Sequence, residues 1–140
     1  MLAIRCLKLA GLYLVLGMSL GIGMGIARNF SLAPVHAHIN LLGWVSLGLA
    51  AAVFKLWPQA ARTRLATAYF WTYNLSLPVA MASLAVELSG YRAIVPLVAA
   101  SHMVLWLGGL MFVINLFLTF RAGAATAATA AVTTPGWESG

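Results

Sequence analysis

Within the apolar stretches of this 140-residue chain, the side chains able to do chemistry are few: His36, His38, Asn40, Asn74, Glu87, His102 and Asn115. All three histidines belong to this set, and neutral imidazole is a common ligand for haem iron and copper. His36 and His38 stand two residues apart, a rotation of about 200° on a helix, so their side chains leave on nearly opposite faces. Such a pair does not clasp one ion; it serves two sites. An extended segment would point both the same way only through irregular backbone, and the apolar run Ile39 to Phe54 predicts that the helix has begun by Asn40. One reading makes the pair interfacial residues facing water just after Pro34. The other makes them cofactor ligands, which the cost of burying polar groups in an apolar span favours. His102 shares a helix face with Trp106, Gly109 and Val113, where a flat ring could lie, or it bonds a neighbouring helix.

The elements that must position these residues follow from composition. Hydrophobic residues make up 63% of the chain and charged residues 7%, with mean hydropathy +0.97, which excludes a soluble domain with a solvated polar surface. At about 20 residues per membrane span the length holds roughly four helices and no separate soluble catalytic domain. Charges and turn formers punctuate four apolar segments, residues 7–27, 35–57, 66–90 and 94–120. Short connections make successive helices antiparallel, so the expected fold is an all-α membrane protein, an up-down bundle of four transmembrane helices over residues 1–121. The first segment has the basic start of a signal peptide, but its run is too long and Ile26-Ala27-Arg28 is a poor cleavage site, which predicts a retained helix. Residues 122–140, rich in Ala and Thr, read as a disordered tail.

The net charge of +6 does not point to nucleic acid, because the eight Lys and Arg lie singly at the ends of apolar runs. Arg5, Lys8, Lys55, Arg62, Arg64 and Arg121 fall on one side of the bundle and Arg28 and Arg92 on the other. This predicts a multi-pass inner-membrane protein with both termini cytoplasmic and lipid as its surroundings. Cys6 is the sole cysteine, so an intrachain disulfide and a thiolate cluster are excluded. The segment Gly17 to Gly25 holds two overlapping GxxxG steps, a face that admits another backbone or a porphyrin plane. Gly108 and Gly109 read as helix packing, and Tyr69 and Tyr73 as interfacial belt or pocket wall. Glu87, the one acidic residue in a span, lies off-centre near the end of the third segment. It makes a small proton-coupled transporter one rival function, a haem-free assembly protein being the other.

The string His36-Ala37-His38-Ile39-Asn40-Leu41-Leu42-Gly43-Trp44 resembles the HxH helix of haem-copper oxidase subunit I and related nitric oxide reductases. In that family the first histidine ligates the active-site haem and the second a neighbouring low-spin haem. The resemblance therefore implies haem b iron held by His36 and His38, with His102 as third ligand and Trp44, Leu42, Trp106 and the glycine-rich first helix as apolar walls. The family's twelve helices form three arcs of four, so the chain resembles one arc, and a homotrimer is implied as the assembly. His36 of one protomer and His38 of the next would then grip each haem. The third segment lacks the family's copper-site histidines, so oxygen reduction is not implied, and copper is the second candidate metal after haem iron. The function implied is electron transfer, or redox or gas sensing, with an oxidoreductase activity left open.

Overall fold

A computed structural model describes residues 1–133 of the chain, with side chains through Arg121. These residues form an all-helical fold of four long helices: α1 (Leu2–Ala27), α2 (Ala33–Leu56), α3 (Arg64–Leu88) and α4 (Val95–Thr133). By length and composition α1, α2 and the stretch Arg92–Arg121 are apolar enough to cross a membrane. Of the four expected spans, α3 is long enough but less apolar, because Thr67, Thr72, Asn74, Ser76 and Ser83 lie along it. Its hydroxyls and amide reach back to their own helix, Ser76 Oγ to the Thr72 carbonyl at 2.7 Å and Asn74 Nδ2 to the Phe70 carbonyl at 2.7 Å. That pattern lets a polar helix occupy an apolar core, to which α3 contributes Tyr69, Phe70, Tyr73 and Leu77.

The turns explain where the helices stop. Arg28, at φ 50°, closes α1 with its N–H on the Gly25 carbonyl, and Pro34 sits in the first turn of α2, where a missing N–H costs nothing. Thr63 caps α3 by accepting from the Ala66 N–H at 2.9 Å, and Gly90, at φ 100°, follows its end. The last helix runs through Thr133, beyond the Arg121 boundary at which the composition predicts a disordered tail. Alanine, the strongest helix former, supplies much of that extension. Residues 134–140 of the expected tail lie outside the described residues.

Packing registers make two antiparallel hairpins. Across α1 and α2, Tyr13 lies against Gly43, Gly17 against Asn40 and Gly21 against His36. Across α3 and α4, Tyr73 lies against Gly108 and Ser83 Oγ is 3.4 Å from Ser101 Oγ. Asn115, 1% exposed, ties α4 to the turn before α3: its Nδ2 donates to the Ala60 carbonyl and its Oδ1 accepts from Thr63 Oγ1. The hairpins join mainly through large side chains of α2, α3 and α4, among them Phe54, Tyr69 and Phe112.

Candidate functional site between α2 and α4

The first turns of α2 are regular α-helix through His38, so the opposite-faces geometry of His36 and His38 holds. His36 turns toward α1, where its Nδ1 lies 2.8 Å from the Gly17 carbonyl and its ring fills the space left by the missing side chain of Gly21. His38 turns toward α4, and its ring centre is 6.1 Å from that of His102, with the ring planes at 82°. The site residues expected from sequence are thus divided: His38 and His102 come together, and His36 stands apart beneath α1.

The tautomer of each ring in the pair is set by its own helix. His38 Nδ1 lies 2.7 Å from the Pro34 carbonyl, and His102 Nδ1 lies 2.8 Å from the Val98 carbonyl. A carbonyl oxygen only accepts, so each Nδ1 carries a proton, and in the neutral tautomer that this selects Nε2 is the nitrogen without one. Metal-binding histidines are commonly oriented in this way, with one nitrogen on a carbonyl and the other free for the ion.

Below the pair lies a cavity of about 480 Å³, lined from α2 by Leu42, Ser46 and Leu49, from α3 by Tyr69 and Tyr73, and from α4 by Leu105, Trp106, Gly109, Phe112 and Val113. That size falls in the range of roughly 300–1,000 Å³ typical of small-molecule and cofactor sites. Trp106 and Leu42 line it as expected. Trp44 and the glycines of α1 are not among its walls, because Gly17 and Gly21 are already filled by Asn40 and His36. Ser46 and Leu105 join the cavity wall although the sequence does not mark them, whereas Tyr69 and Tyr73, at i, i+4 spacing on α3, take the pocket-wall place, one of the two that the sequence leaves open to them.

A π-helical turn, Ile39–Val45, directly follows His38. Its altered hydrogen bonding is met by side chains: Ser46 Oγ donates to the Leu41 carbonyl at 2.8 Å and Tyr73 Oη to the Leu42 carbonyl at 3.1 Å. Such turns are frequent at functional sites, and this one ties the α2 wall of the cavity to its α3 floor.

The remaining polar candidates lie elsewhere. Asn40 donates to the His36 carbonyl at 2.9 Å and packs on Gly17; Asn115 holds a turn; Glu87 sits in the last turn of α3. Asn74 Oδ1 is buried without a hydrogen-bond partner among the described residues. Among the described residues no three His, Cys, Asp or Glu side chains converge as a metal-binding group. A closed four-ligand protein site for zinc therefore does not fit, whereas two imidazoles suffice when a macrocycle supplies the other four nitrogens. Compared with family models, curated proteins and solved structures, the chain matches none.

Proposed function

We propose that this chain is an integral membrane b-type haem protein serving electron transfer or redox or gas sensing, with His38 and His102 as the residues that would hold the haem iron. The observation that carries the reading is the facing pair itself: two imidazoles 6.1 Å apart at the head of an apolar cavity, each held by a backbone carbonyl so that Nε2 is bare. When bound, haem would supply a one-electron couple, and holding it by two imidazoles would favour electron transfer over gas sensing. The chain's own residues orient the two nitrogens, exclude water with Leu42, Leu105 and Phe112, and bring the Tyr69 and Tyr73 rings to the cavity wall.

The membrane reading extends to four spans. α3 is bracketed by short turns between two apolar helices, so it crosses with them, and the distribution of Lys and Arg sets both termini on the cytoplasmic side of an inner membrane. Resemblance to one arc of haem-copper oxidase subunit I extends the proposal to a homotrimer. Enclosure of His36 against α1 favours ligation by His38 and His102 of one chain over sharing of His36 and His38 between protomers.

The test is the dithionite-reduced minus air-oxidised visible spectrum of the detergent-purified protein, with haem measured per chain. Wild type is expected to show a b-type α-band; His38→Ala and His102→Ala each lose at least tenfold in haem content, and His36→Ala keeps it. Retention of haem in both His38→Ala and His102→Ala rejects the assignment. A colourless wild type expressed with ample haem returns the histidines to a structural role.

A further inference from the structure

Along the helix axes the cavity runs from His38 and His102 at one end to Leu49, Phe112 and Val113 at the other. Its floor is Tyr69, 2% exposed, and Tyr73, 5% exposed. Its side is different. Leu49 on α2 and Trp106 and Val113 on α4 line the cavity and are also 62%, 60% and 45% exposed, so the slot opens laterally between the two helices. From His102 to Val113 a helix rises about 16 Å, and the same count separates His38 from Leu49, so the slot is long.

Gly109 lies in the middle of this wall, two turns from His102 on the same face. A Cβ built there meets nothing within 4 Å, whereas one built at the neighbouring Gly108 comes within 3.2 Å of Tyr73. Gly108 is needed for helix contact, and Gly109 is not. The volume that a side chain at Gly109 would fill belongs to the cavity.

We infer that the cavity exchanges its ligand sideways with the bilayer, and that Gly109 is a specificity-determining position which admits a planar, lipid-soluble molecule lying along α4 from the histidine pair. This rests on the proposed ligand site and adds the route and the shape of what enters. The open side lies between apolar helix faces, the surface that lipid would meet.

The test uses the full chain in phosphatidylcholine vesicles, titrated with hemin dissolved in the bilayer. Gly109→Phe is expected to weaken hemin binding at least tenfold. Gly48→Phe, at another glycine whose Cβ meets nothing within 4 Å but which lies outside this cavity, leaves binding within twofold of wild type. Equal binding by Gly109→Phe and wild type overturns the inference while leaving the histidine assignment standing; no binding by wild type overturns both. The lateral opening has its own readout in the ligand-free protein. Lipids brominated at mid-chain are expected to quench Trp106, so Trp106→Phe removes part of the total quenching. If Trp106→Phe leaves the absolute bromolipid-quenched signal unchanged, so that the quenched fraction rises, the mouth is covered, as by a second copy of the chain, and lateral exchange is rejected.

Discussion

His36 and His38 stand two residues apart on one helix and meet surfaces of opposite character. His36 faces α1 at the distance of backbone contact: a Cβ added at Gly21 would lie 2.8 Å from its ring, and its Nδ1 donates across the helix pair to Gly17. His38 faces α4 across a cavity, and its Nδ1 bond stays within its own helix. The same residue type therefore does two jobs. Where small residues let helices touch, imidazole becomes a hydrogen-bonding fastener; where large side chains hold helices apart, it borders a cavity. The difference lies in the partner surface, not in the histidine.

The largest expected effect comes from closing the space on the tight side. Gly21→Leu forces His36 out of its contact and parts α1 from α2, a case of overpacking that costs about 2–3 kcal/mol. Denaturation in detergent followed by circular dichroism measures it. A loss below about 0.5 kcal/mol would mean that α1 and α2 do not touch at this level, and the contrast between the two histidines would collapse.

A smaller effect separates the two rings themselves. His36→Ala removes a bond between helices and should cost about 1 kcal/mol in the same assay. His38→Ala removes only a bond to its own preceding turn and should cost less in the haem-free protein. If His38→Ala proves the more destabilising of the two without haem, His38 is a structural residue and the cavity loses its claim on it.

How much of this is legible in the sequence depends on the range of the interaction. The opposite directions of His36 and His38 follow from helical periodicity, a local property, and the face shared by His102, Trp106, Gly109 and Val113 follows likewise. The four helices and their antiparallel order follow from apolar runs and short turns. Which surface each histidine meets depends on the register between helices distant in the chain. The pattern Gly17 to Gly25 marks a close-packing face but does not say that His36 and Asn40 fill it. Gly23 and Gly25, equally small, meet nothing within 4 Å. The π-turn at Ile39–Val45 carries no signal of the kind proline gives, because its hydrogen bonds are completed by Ser46 and by Tyr73 from another helix. The helix beyond Arg121 escapes a reading of composition that asks only whether a segment can form a core, because alanine needs no core to prefer a helix.

The smallest effect carries the opposite sign. Glycine inside a helix costs about 0.5–1 kcal/mol relative to alanine through backbone entropy, unless the position needs the missing side chain for a contact. Gly108 needs it, since a methyl there would stand 3.2 Å from Tyr73 Cα and Cβ, so Gly108→Ala is expected to destabilise. Gly109, one residue on, faces open space, so Gly109→Ala should stabilise the haem-free protein by about 0.5 kcal/mol or more in the same denaturation assay. One methyl is also small against a cavity of about 480 Å³, so this variant should keep hemin affinity near that of wild type, in contrast to Gly109→Phe. Should Gly109→Ala destabilise as much as Gly108→Ala, the α4 face at Gly109 is packed like the α1 face at Gly21, and the division into a closed side and an open side of the bundle fails at its simplest point.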